Sequence, residues 1–213
     1  MDFMYRQAYE VLPALLQALG IDAEPLWLFG HSDGGSIALL FAARFSAQGS
    51  AGPPQAALLP LGGSDAAWRR PRGSSQVAGA IVVAPHILVE DLSVASIEQA
   101  RRAYRDADLR ERLARYHDDP DSAFWGWNSI WLHPPFRDWT IEDEIAAIAC
   151  PLLAVQGAAD EYGTLEQIRG IARRVPGTEL LVLDDCGHSP HRDQPERLIA
   201  ASAAFIARAE RAA

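Results

Sequence analysis

The sequence predicts an α/β fold, a mostly parallel sheet with helices on both faces. Three observations carry this expectation. Short apolar runs recur at Leu26–Phe29, Ala78–Ala84, Pro151–Gly157 and Glu179–Leu183, each of strand length. Stretches with helical apolar spacing separate them, and strands alternating with helices are joined by crossovers into parallel sheets. Three of the runs end in polar or glycine-rich turns that hold Ser32, Asp160 and His188. In an open parallel sheet that is the edge where ligands bind.

In chain order, Tyr5, Ala8, Val11, Leu12, Leu15, Leu16 and Leu19 space a first helix over about 4–19. Pro13 threatens a kink inside it, and Gly20 stops it. The strand Leu26–Phe29 follows, then an alanine-rich helix carrying Ile37, Leu40, Phe41 and Phe45. Residues 46–76 lose all periodicity and are rich in Gly, Pro and Ser, the composition of a flexible surface insertion over about 47–76. Pro85 closes the strand Ala78–Ala84. A charged helix is expected over about 92–117, with Ile97, Tyr104, Leu109, Leu113 and Tyr116 as its apolar stripe. Four of the six tryptophans then lie between Trp125 and Trp139, as a small aromatic core or the lining of a pocket. Ile141–Ile148 reads as a short helix, Leu165–Val175 as another, and about 194–208 as the closing one.

Composition excludes several classes. The 213 residues suit one domain, and a net charge of −9 without a basic stripe argues against nucleic acid and anionic membrane as partners. No apolar run has membrane-spanning length, and the first residues lack a basic region leading into an apolar core. Cys150 and Cys186 border strands, which suits reduced core thiols in a cytoplasmic protein. No His, Cys and carboxylate spacing resembles a ligand set, so neither metal nor cofactor is expected.

The chemistry centres on Gly30-His31-Ser32-Asp33-Gly34-Gly35. This is a G-x-S-x-G turn between strand and helix, which exposes a serine hydroxyl at a helix N-terminus. Side chains at Gly30 or Gly34 are expected to collide with neighbouring backbone. A serine is a weak nucleophile until a base takes its proton. His188 suits that role, with Asp160 to orient it, and the order serine, acid, histidine is that of one serine-hydrolase lineage. His31, His86, His117, His133 and His191 are rival bases, His191 the best of them, and Asp184 and Asp185 are rival acids. The backbone N–H of Asp33 is the expected oxyanion donor.

On Gly30–Gly35, Gln156-Gly157-Ala158-Ala159-Asp160-Glu161 and Cys186-Gly187-His188, the chain from about Tyr5 onward resembles the α/β-hydrolase-fold serine hydrolases. Within them it looks like the meta-cleavage-product and valacyclovir hydrolases. The resemblance implies a core over 1–86 and 150–213, a helical cap over 87–149, and hydrolysis of a small ester, amide or C–C bond beside a carbonyl, without a cofactor. It implies that Asp33 holds a substrate α-ammonium, against its alternative as a cap of the following helix. The cap would bring Trp125, Trp127 and Trp131, with His31, toward a small ester or acyl substrate.

Only one helix precedes the elbow, whereas that family places several strands and a His-Gly-rich loop there. The chain therefore reads as a C-terminal portion lacking the N-terminal half of the sheet, with its first strand an exposed edge open to homodimerisation. Two other readings follow: an impaired fragment that binds a partner, or a C–C bond hydrolase anchoring an acidic substrate on a base such as Arg102 or Arg137.

Overall fold

A computed structural model describes residues 2–46 and 77–212; the expected insertion at 47–76 lies outside the described residues. The chain opens with α1 (Phe3–Arg6), a π-helical turn (Gln7–Val11) and α2 (Leu12–Leu19). Pro13, with no N–H to donate, falls in the first turn of α2, directly after the wider turn. Gly20 ends α2 in the left-handed conformation, φ 69°, as its position in the sequence suggests.

Strand β1 (Leu26–His31) leads into α3 (Asp33–Phe45), and β2 (Val77–Val83) follows. Between β2 and β3 (Leu152–Gly157) lie α4 (Asp91–Asp106), α5 (Leu109–Leu113), α6 (Pro120–Trp131), a 3₁₀ turn (Pro134–Asp138) and α7 (Glu142–Ile145). Then come α8 (Glu166–Arg174), β4 (Glu179–Leu183), α9 (Pro190–Asp193) and α10 (Pro195–Ala212).

The four strands pair in parallel in the order β1-β2-β3-β4. Side chains alternate across the pleat, so two cores form, one on each face. Ile81, Val83, Leu153, Val155 and Leu183 meet Leu198 and Phe205 of α10. Ala80, Val82, Leu152 and Ala154 meet α3, α8 and the helices that follow β2. Being covered on both faces is what makes β2 and β3 continuous apolar runs rather than alternating ones. β1 is bonded to β2 alone among the described residues, and its Phe29 is 58% exposed.

One expectation is corrected. The single helix over 92–117 is instead α4 and α5, because the chain turns extended at Ala107 (φ −138°, ψ −159°). The break lets residues from both sides reach one carboxylate: Tyr104 Oη and Arg110 donate to Asp121. Trp125, Trp127 and Trp131 of the tryptophan stretch lie on α6, and Trp139 follows the 3₁₀ turn. Pro120 sits in the first turn of α6, and the Asp119 side chain accepts the N–H of Ser122 as its cap.

Candidate active site

β1 delivers Ser32 into a backbone conformation rare for a side-chain-bearing residue, φ 55° and ψ −127°. The next residue starts α3, whose first N–H groups have no partner within the helix. Only one of the two glycines expected to be sterically required is so. A Cβ on Gly30 would lie 2.2 Å from the carbonyl oxygen of Gly34, while one on Gly34 would meet nothing within 4 Å. The second constrained position is Gly35, where a Cβ would press on Pro85 at 3.1 Å.

The residues expected from three strand ends come together. Ser32 Oγ lies 3.0 Å from His188 Nε2, and His188 Nδ1 lies 2.9 and 3.0 Å from the two carboxylate oxygens of Asp160. The Asp160 side chain is wholly buried, and that of His188 is 13% exposed. The approach of β3 to the histidine loop requires Gly157, where a Cβ would stand 2.3 Å from the carbonyl oxygens of Cys186 and Gly187.

Hydrogen bonds from three directions hold that loop. Glu161 accepts the N–H of His188 at 3.1 Å, Asp193 accepts that of Gly187 at 2.9 Å, and His31 Nε2 lies 2.7 Å from the His188 carbonyl. A carbonyl only accepts, so His31 carries its proton on Nε2. Burial holds the His31 imidazole below its usual pKa. On the acid side, Ser93 and Ser96 of α4 donate to the carbonyls of Tyr162 and Glu161, tying the helices after β2 to the Asp160 loop.

The Asp33 carboxylate does not cap α3. It instead accepts from Trp131 Nε1 at 3.3 Å, and its second oxygen, Oδ1, is buried without a partner. Burial raises its pKa to about 6. His86 follows β2, with its ring 4.8 Å from that of Trp131 and 5.9 Å from that of His188. Burial pushes it down to about 3, so it is neutral at pH 7, and its Nδ1 has no partner. The Tyr162 ring lies 4.8 Å from His188, with Trp127 behind it at 6.5 Å.

The named tryptophans therefore separate. Trp131 reaches Asp33 and Trp127 reaches Tyr162. Trp125 packs on Tyr104, Phe124 and the Arg105 guanidinium, and nothing joins it to Ser32, Asp160 or His188. His117, His133, His191, Asp184 and Asp185 are all exposed, and His191 packs on His31. Arg137 is paired with Asp91, and Arg102 is exposed.

Sequence reasoning missed Gln156 and Tyr162. Gln156 had a signal: a lone polar residue inside an apolar strand must find partners once buried. Tyr162 had none.

The arrangement can pass a proton from a serine hydroxyl to an imidazole whose far nitrogen is held by a buried carboxylate. No curated protein matches the sequence. Among solved structures, a bacterial membrane phospholipase A, described as a virulence factor, superposes with a TM-score of 0.64 at 20% identity. That match covers 97% of this chain and 64% of the phospholipase, so the chain spans under two thirds of it. A carboxylesterase structure from the thaumarchaeon Nitrososphaera gargenis gives 0.66 at 16% identity, over 99% and 74% of the two chains. A serine hydrolase involved in carbazole degradation gives 0.64 at 16% identity, over 96% and 71%. At such identities the likeness speaks for the fold. The profile of one family matches residues 2–201, a span that takes in the parallel sheet, the Ser32 turn and the strand ends bearing Asp160 and His188. The chain belongs to the alpha/beta hydrolase family.

Proposed function

We propose that this protein is a serine hydrolase of small carboxylic esters, working through an acyl-enzyme. The observation that carries the reading is the continuous path from Ser32 Oγ through His188 to a buried Asp160. Ser32 Oγ attacks the ester carbonyl as His188 Nε2 takes its proton. The oxyanion that forms meets the Asp33 N–H at the start of α3. Collapse breaks the C–O bond, and His188 returns the proton to the leaving alkoxide. Water, activated by the same imidazole, then releases the acid.

The test is intact-mass analysis after a fluorophosphonate probe. The wild-type chain is expected to gain a single adduct that Ser32→Ala loses. A folded wild-type chain that gains none would retire the reading.

One observation favours a narrower class, esters of α-amino acids. The unpartnered, buried Oδ1 of Asp33, next in the chain to the nucleophile, does not cap the helix. A substrate ammonium would supply the missing donor. Asp33→Asn is expected to lower kcat/KM for an α-amino ester about 10- to 100-fold, the worth of a charge-assisted hydrogen bond, and to spare its N-acylated analogue. Equal losses on both esters would rule the ammonium out.

The same residue predicts a pH dependence. Burial raises its pKa from 3.8 to about 6, so the folded chain resists the anion. The stability it contributes is complete below pH 3.8 and is lost as pH rises through about 6. Above that, Asp33→Asn is expected to stabilise the fold by about 3 kcal/mol, read by thermal unfolding at pH 5 and pH 8.

A further inference from the structure

Gln156 is 1% exposed, the one polar side chain of β3, and it faces the carboxylate of Asp160. Its Nε2 lies 2.5 Å from Asp160 Oδ2 and 3.1 Å from the carbonyl oxygen of Gly163. Both neighbours can only accept, so the amide is oriented with its NH₂ toward them. The reverse orientation would set three acceptors against one another. The Oε1 that results is buried without a partner. The polar residue is thus kept in an apolar strand at the cost of one unsatisfied acceptor, for two bonds made by one nitrogen.

Asp160 has three donors: His188 Nδ1, the N–H of Tyr162 at 2.8 Å on Oδ1, and Gln156 on Oδ2. The Tyr162 amide belongs to the loop that carries Asp160. Among the described residues, Gln156 alone joins the carboxylate to β3. Being neutral, it adds no second charge to the buried site, so Asp160 presents its single negative charge to His188.

We propose that Gln156 is a positioning residue that holds the Asp160 carboxylate in the orientation His188 requires. The inference deepens the hydrolase reading above and rests on it for its kinetic consequence. Two substitutions separate positioning from packing. Gln156→Met keeps the length of the side chain and removes the donor. Gln156→Glu restores one donor, because two buried carboxyls this close hold one proton between them.

The primary readout is the downfield proton resonance of His188 Nδ1–H, which needs no turnover and is assigned by its loss in His188→Ala. It is expected to be sharp in the wild-type chain, broadened by exchange in Gln156→Met and restored in Gln156→Glu. With an ester substrate, kcat falls about tenfold in Gln156→Met at unchanged KM, the loss of one hydrogen bond to a charged group. A packing role would lower only the melting temperature. The inference is overturned if Gln156→Met keeps the wild-type resonance, if Gln156→Glu fails to restore it, or if the wild-type chain shows none. Absence of a Ser32-dependent fluorophosphonate adduct would instead count against the hydrolase reading, leaving the resonance to decide the role of Gln156.

Discussion

His188→Ala is expected to lower kcat for an ester by about 10⁴- to 10⁶-fold with KM little changed, because residues of a triad act as a unit. The imidazole lies within 3.0 Å of Ser32 Oγ. His31 is nearest in sequence, yet its Nε2 is spent on the His188 carbonyl. Asp160→Asn is expected to cost about 10⁴-fold by a different route. An amide NH₂ facing His188 Nδ1 would force the proton onto Nε2, where it could no longer take one from serine. Single-turnover kinetics with a chromogenic ester measure both variants. A His188→Ala chain retaining more than a hundredth of the wild-type rate would mean that another base serves Ser32.

Gly30→Ala carries the second large effect. Its Cβ would lie 2.2 Å from the Gly34 oxygen, 2.6 Å from the Gly34 carbon and 2.8 Å from Gly35 Cα. All three are backbone atoms, so no side chain can yield. The start of α3 has to move, and Ser32 with it. A loss of about 3 kcal/mol in stability is expected, at the upper end of overpacking costs. With it goes at least a hundredfold loss of ester turnover, since a displacement near 1 Å costs that much in positioned chemistry. Gly34→Ala is the control: its Cβ meets nothing, so turnover within threefold of wild type is expected. Chemical denaturation and initial rates on the two variants decide it. Equal losses would mean that the elbow needs backbone freedom at both glycines rather than space at one.

Much of the architecture was legible in the chain alone. β2 and β3 read as strands because burial on both faces makes them apolar throughout, and β4 was bounded by Pro176-Gly177 before it and the acidic turn after it. The three side chains at the strand ends were legible because the parallel order puts strand C-termini on one edge. That they lie within hydrogen-bond distance is a property of the sheet: β1 and β3 flank β2, and β4 lies beyond β3.

What sequence left undetermined depends on contacts between residues far apart in the chain. The break between α4 and α5 brings Tyr104 and Arg110 to one carboxylate, and that carboxylate comes from α6, so the meeting is not written in any local pattern. Asp33 and Trp131 are 98 residues apart, so no spacing could say whether that carboxylate caps a helix or faces an indole. Gly30 and Gly34 look equivalent in the motif. Their difference is where the backbone of α3 happens to pass, 2.2 Å from one and clear of the other. Periodicity and turn chemistry are local properties of a chain, and they determined the alternation of strands and helices and the polar groups at the strand ends. Burial, the partners of each carboxylate and the space at each glycine are properties of packing, and only the folded chain decides them.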